Sequence, residues 1–232
     1  MDRRRLVGEA QSGTARAAVL GMNDGLVTNV SLILGVAGAN ADASIVRLAG
    51  LASLVAGACS MAVGEYISMQ AQREMLERVL SEARQEMTAD PEGMIQRLAR
   101  IFERTGVHGD DALHAAQSVG GDPEKTLEMY VRSGLGFNPQ ELGSPIAAAF
   151  SSLVTFALGA AIPLVPWFLW SGNLASLVSI ALAAAFTLGI GAYLGRMSGK
   201  GALVSALRQL AVVALAAGIT YFVGRIFRVR AT

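Results

Sequence analysis

Five stretches of twenty or more mostly apolar residues constrain this chain more than any other feature: about Ala17 to Ala39, Ile45 to Met69, Pro145 to Trp170, Leu174 to Leu194, and Ala202 to Gly224. A helix rising 1.5 Å per residue needs about 20 residues to cross a hydrocarbon core of about 30 Å. A backbone in lipid must satisfy its own hydrogen bonds, so each stretch reads as one spanning helix. Composition agrees: 53% of the 232 residues are hydrophobic and 16% charged, against roughly 25% charged in soluble domains. The predicted fold is all-α and polytopic, with five transmembrane helices and a helical insert between helices 2 and 3. That length is too short for a large transporter.

The net charge of +1 hides a segregation. Residues 71–143 hold 13 acids against 8 bases, and the remaining 5 acids face 11 bases. This divides the chain into an N-terminus (1–16), helices 1 and 2 (17–70), a polar insert (71–143), helices 3 to 5 (144–225) and a tail (226–232). Arg3, Arg4, Arg5 and Arg16 precede the first span without a short apolar core and cleavage site, so no removable signal peptide is read. Bases mark the cytoplasmic side, which places the N-terminus, the insert and the Arg196–Lys200 turn there. Arg225, Arg228 and Arg230 then fall on the opposite side, against the rule. Trp167 and Trp170 read as an interfacial aromatic belt.

Within the first span stands Asp24. An ionisable group at membrane depth costs on the order of 2.5 to 3.5 kcal/mol on the insertion scale, and an ion or proton pathway is what justifies one. In Asn23-Asp24-Gly25 the carboxylate stands beside a glycine, where a local opening of the helix would expose backbone groups to a cavity. In the second span Met61, Glu65 and Met69 recur every four residues and share one helical stripe. Carboxylate oxygen with thioether sulfur suits a divalent transition ion better than magnesium or calcium. Alternatively the methionines fill gaps between helices and Glu65 reaches interfacial water. Gly21, Gly25, Gly35 and Gly38, and then Gly50, Ala56, Gly57, Ala58 and Ser60, permit close helix approach.

The insert reads as soluble helix. Its start continues the second span through Gln70 to Met87, with Arg73–Glu77, Glu74–Arg78 and Arg78–Glu82 as opposite charges four apart. Asp90-Pro91-Glu92 begins a new helix, with Asp as cap and Pro in the first turn. Thr105-Gly106 and Gly120-Gly121-Asp122-Pro123 are further breaks, giving about three helices after the long one.

The string Ala18-Val19-Leu20-Gly21-Met22-Asn23-Asp24-Gly25-Leu26-Val27-Thr28, with Leu34 to Ala39, resembles the first span of vacuolar iron transporters. Ala56 to Ser68 resembles the end of their second span, and the layout of five spans with one polar insert extends the resemblance over nearly the whole chain. The resemblance implies a homodimer with its ion path between subunits and proton-coupled export of ferrous or manganous ion from the cytoplasm. It also implies pathway roles for Asp24, Met61 and Glu65. The insert resembles a cytoplasmic helical domain that gathers metal through Glu and Met, but Met94, Arg97, Tyr130, Val131 and Gly134 depart from that pattern. Glu82 and Glu86 are the candidate ligands left in it, with Arg97 opposing a cation there.

Asp24 and Glu65 would hold metal when ionised and release it when protonated, which couples the two fluxes. The expected partners are a divalent metal ion, protons, the lipid bilayer and a second copy, with no nucleic acid. No resident cofactor is expected, since Fe2+ or Mn2+ is bound only in passage. The absence of Gly-x-Ser-x-Gly, His-Glu-x-x-His and a phosphate-binding glycine loop argues against an enzyme. The rival reading is a membrane-anchored interaction or regulatory protein whose insert binds a partner or senses metal. His108 and His114 read as surface or packing residues, Cys59 as packing, and Arg208 as snorkelling to the cytoplasmic interface, with pairing to a pathway carboxylate as the alternative. No acid follows Ser144, so helices 3 to 5 read as scaffold. The Ala-rich and Arg-rich composition suits a bacterial plasma membrane.

Overall fold

The computed structural model describes residues 13–136 and 143–227, which form helices and no strand. In chain order these are α1 (Gly13–Gly38), α2 (Ala43–Ala89), α3 (Pro91–Arg104), α4 (Asp110–Gly120), α5 (Pro123–Gly134), α6 (Pro145–Leu164), α7 (Pro166–Leu169), α8 (Gly172–Met197) and α9 (Ala202–Ile226). Helices α1, α2, α6, α8 and α9 are each long and apolar enough to cross a membrane. The chain is an all-α, multi-pass membrane protein, as its five apolar runs require. It forms two compact units, one of the described residues up to Ile67 and from Ser144 onward, the other from Ser68 to Gly143.

In the first unit α1 is the central element. Lipid tails are as apolar as leucine, so helices associate there by close packing and hydrogen bonds rather than by escape from water. The glycines of α1 make that packing possible. A Cβ on Gly25 would overlap the Phe156 carbonyl of α6, and one on Gly159 of α6 would overlap the Met22 carbonyl of α1. Toward its other end α1 meets α9, where a Cβ on Gly224 would overlap the Gly35 carbonyl and one on Gly38 would come 2.7 Å from the Tyr221 carbonyl. Leu26, Val30 and Leu34 then close a core with Ala183 of α8 and Val213 of α9.

Side-chain donors stitch the same contacts. Asn29 Nδ2 donates to the Ala160 carbonyl at 2.6 Å, and Thr220 Oγ1 donates to the Ser31 carbonyl at 2.7 Å. Where α6 ends around Pro163, Ser179 Oγ of α8 donates to the Pro163 carbonyl at 2.7 Å. Asn40, at φ 64, turns the chain out of α1 in the left-handed conformation that asparagine tolerates.

Two sequence expectations change here. Trp167 is 2% exposed and packs with Ile33, Val46, Leu164 and Ala175, so it is a core residue rather than half of an interfacial belt. The cause is local: Pro166 opens a separate four-residue helix, and that turn carries Trp167 inward while Trp170 is 44% exposed. The small residues of α2 also behave differently from those of α1. Gly50 and Gly57 receive the side chains of Leu164 and Phe156 instead of a neighbouring backbone. Leu48, Leu51, Val55, Val63 and Ile67 of α2 stay exposed.

The second unit holds α2 from Ser68 onward with α3, α4 and α5. The predicted start at Asp90 is a real cap, accepting from the Gly93 amide at 2.9 Å with Pro91 in the first turn; at the predicted break, Asp122 is also a cap, accepting from the Glu124 and Lys125 amides with Pro123 behind it. Hydrogen bonding by Lys125 holds the Asp122 carboxyl below its ordinary range. Leu98, Ala99, Ile101 and Ala116 form one core, and Ala83, Leu127 and Val131 another. Arg73–Glu77 and Arg78–Glu82 pair at 2.8 Å as expected. Glu74–Arg78 does not form, because Glu74 accepts from Gln70 at 2.7 Å while Arg78 turns toward Glu82. Such exposed pairs are screened by solvent and contribute little, so burial in the two cores carries this unit.

Gly159→Val should drive a branched side chain into the Met22 carbonyl and destabilise the chain by at least about 1–3 kcal/mol, the usual cost of overpacking. Gly218→Ala, at a site with nothing within 4 Å, should not. Thermal unfolding of the two purified variants in detergent checks both.

Candidate functional site

The glycine contacts fix how α1 is rotated. With 3.6 residues per turn, setting Gly21 and Gly25 against α6 and Leu26, Val30 and Leu34 into the core leaves Leu20, Asp24 and Thr28 as a stripe on the remaining side. All three are exposed. Asp24 Oδ1 accepts a hydrogen bond from Thr28 Oγ1 at 3.1 Å, a bond made possible by their spacing of one helical turn. No arginine or lysine among the described residues forms an ion pair with Asp24, and Arg208 of α9 is exposed.

The expected local opening at Asn23-Asp24-Gly25 does not occur: α1 runs unbroken from Gly13 to Gly38. Gly25 is there for the close approach of α6, so its role is steric and the helix has no reason to unwind. Support for Asp24 comes instead from its neighbours. Gln209 Nε2 of α9 donates to Asn23 Oδ1, tying the residue beside the carboxylate to another span. Sequence reasoning missed Gln209, although an amide one residue past Arg208 inside an apolar run was a signal. Asn29 Oδ1, Ser152 Oγ and Thr187 Oγ1 are further buried polar atoms of this unit with no hydrogen-bond partner among the described residues.

The second-span candidates are distributed differently. Met61 is half-buried against Ala58, Phe156 and Ala160, a packing position. Glu65 is half-buried on the same helix one turn further on. Met69 is buried in the second unit, its methyl lying 2.8 Å from where a Cβ on Gly143 would stand. Asp24 and Glu65 therefore come from two different spans. Among the described residues, no three or more His, Cys, Asp or Glu side chains gather into a metal-holding group.

In the second unit Glu82 is engaged by Arg78 and Glu86 by Arg97 of α3. The hydrogen bond from Arg97 to Glu86, and then the charge of Glu86, hold the Arg97 guanidinium still more firmly protonated than usual. The guanidinium at each carboxylate opposes a cation approaching it. His108 and His114 are exposed, and Cys59, expected to pack, is an exposed free thiol.

Fold and site together define a multi-pass helical membrane protein with a carboxylate set inside a spanning helix. The sequence profile of the VIT family matches residues 15–225. "Vacuolar iron transporter homolog 2" of Oryza sativa subsp. japonica is 34% identical over 225 residues, covering 94% of this chain and 93% of that protein. "Vacuolar iron transporter homolog 1" of the same plant is 33% identical over 224 residues, covering 94% and 75%. "Vacuolar iron transporter 1" of Arabidopsis thaliana is 27% identical over 212 residues, covering 91% and 85%. The chain belongs to the VIT family.

The ion pairs of the second unit generate a prediction. Arg97→Glu should raise the affinity of the purified chain for Mn2+ at this unit by roughly tenfold, because it removes the competing cation and adds a third carboxylate near Glu82 and Glu86. Calorimetric titration reads the change, and adding Glu86→Gln to that variant should abolish the gain.

Proposed function

We propose that this chain moves a divalent transition metal ion, ferrous or manganous, out of the cytoplasm in exchange for protons. The observation that carries the reading is Asp24: a carboxylate within an apolar span, on the uncovered stripe of α1, held by Thr28 and by no base among the described residues. An acid that neither packs nor pairs at that depth is suited to binding what passes. Membership of the VIT family supports the cargo, since its relatives are named iron transporters.

The pathway proposed runs between two copies of the chain. Its support is that the Leu20–Asp24–Thr28 stripe and the face of α2 bearing Leu48, Val55, Cys59 and Val63 are both left open in one protomer. Asp24 and Glu65 supply oxygen and Met61 sulfur, a donor set suited to Fe2+ or Mn2+. Protonation of the two carboxylates from the far side releases the ion, and deprotonation on the cytoplasmic side prepares the site again, so the gradients oppose and drive each other. The N-terminus and the second unit face the cytoplasm in this reading, on the side favoured by basic residues, and a bacterial plasma membrane suits the composition. Glu82 and Glu86 serve as weak collecting ligands, each reached through its ion pair.

Reconstitution into liposomes with an internal metal-sensitive dye and an imposed pH gradient tests the proposal. Asp24→Asn should cut Fe2+ and Mn2+ flux by roughly tenfold or more while the variant stays folded, given that even outer partners of metal ligands change affinity by about 10- to 100-fold. Glu65→Gln should act in the same direction. Absence of flux in the unaltered chain would favour a membrane anchor, and full flux in Asp24→Asn would remove the carboxylate from the mechanism.

A further inference from the structure

The second unit carries a site of the opposite sign. On α3, Arg97, Arg100 and Arg104 are spaced three and four residues apart and so share one face. Across from them on α5 lie Tyr130 and Gly134, one turn apart, and the five residues with Ile101 line a depression of about 260 Å³. Ile101 is buried and forms its floor. A Cβ on Gly134 would come 2.6 Å from Ile101 Cδ1, so a bare backbone lies against that floor at the rim.

Among the described residues the charges of this depression are not balanced. Arg97 is paired with Glu86 and adjoins the Tyr130 hydroxyl. Arg100 and Arg104 are exposed and form no ion pair among the described residues. Three guanidiniums against one carboxylate leave two positive charges around a space several times the roughly 30 Å³ that a water molecule occupies in the liquid. Like charges brought to one rim repel, and the arrangement is stabilised when an anion sits among them. Guanidinium forks match phosphate oxygens two at a time, the tyrosine hydroxyl adds a neutral donor, and a phosphate monoester carries about 1.5 to 2 negative charges near neutral pH.

We infer that the Arg97–Arg100–Arg104 face with Tyr130 is a binding site for a phosphate monoester, presented either as a free phosphate or as a lipid headgroup. Arg100 and Arg104 grip its oxygens, Tyr130 donates to it, and Arg97 orients the rim through its bond to Glu86. The site depends neither on Asp24 nor on metal passage, so it stands or falls apart from the transport reading.

The full chain in phosphatidylcholine nanodiscs, with phosphorus NMR as readout, provides the test. One arm titrates inorganic phosphate, and the other replaces part of the lipid with phosphatidate. The unaltered chain should broaden the phosphate resonance saturably in at least one arm. Broadening by soluble phosphate assigns a free ligand, and broadening of phosphatidate alone assigns a headgroup. The double variant Arg100→Gln/Arg104→Gln should weaken the effect by roughly tenfold or more, as the loss of two charge-assisted contacts requires. Arg84→Gln, which removes a base paired with Glu124 elsewhere in the unit, should leave it unchanged. Absence of saturable broadening in both arms overturns the inference, as does equal broadening by the double variant or an equal loss in Arg84→Gln. Should the double variant fail to fold, as judged by circular dichroism, Arg104→Gln and Tyr130→Phe taken singly decide the matter on the same readout.

Discussion

Contact between bare backbone and bare backbone organises the membrane unit. Where α1 crosses α6, Gly25 and Gly159 each lie where any side chain would strike a carbonyl of the other helix, and Gly224 does the same for α9 against Gly35. Apolar side chains gain nothing by leaving lipid for one another, so this density of contact, reinforced by donors such as Asn29 and Thr220, does what a water-driven core does elsewhere. It also leaves one rotation of α1 possible. The position of Asp24 on an open stripe is a result of the glycines beside it.

The spans and the helix starts were legible because each rests on a local rule. Twenty apolar residues cross a membrane, and Asp-Pro before an amphipathic run caps a helix, as Asp90 and Asp122 do. What could not be read was which of several local options a residue takes once its surroundings exist. Arg78 has an acid four residues away on either side and chooses Glu82. Trp167 and Trp170 look alike in sequence, yet the short helix opened by Pro166 sends one inward. The glycine after Asp24 suits an unwound helix as well as a crossing, and the partner helix decides for the crossing. Gln209 lies 186 residues from Asn23, a distance over which no pattern in the chain connects them.

Of the candidate site, the types and positions of the residues were visible and their company was not. Asp24 and Glu65 stand on separate spans, and Met61 fills space beside Phe156. In the second unit the acids at 82 and 86 each carry an arginine, while Arg100 and Arg104 have no counter-ion among the described residues. A segment whose sequence is acidic on balance thus presents a basic hollow, because net charge says nothing about which faces the charges occupy.

The pair of indoles near the end of α6 has a spectroscopic consequence. Trp167, enclosed among Ile33, Val46 and Leu164, and Trp170, open to its surroundings, are the chain's two tryptophans and only three residues apart. Their emission divides into a component shielded from aqueous quenchers and one that is not. Loosening of the junction between α6 and α8 would register in the shielded component first, giving the protein a built-in optical gauge that needs no added label.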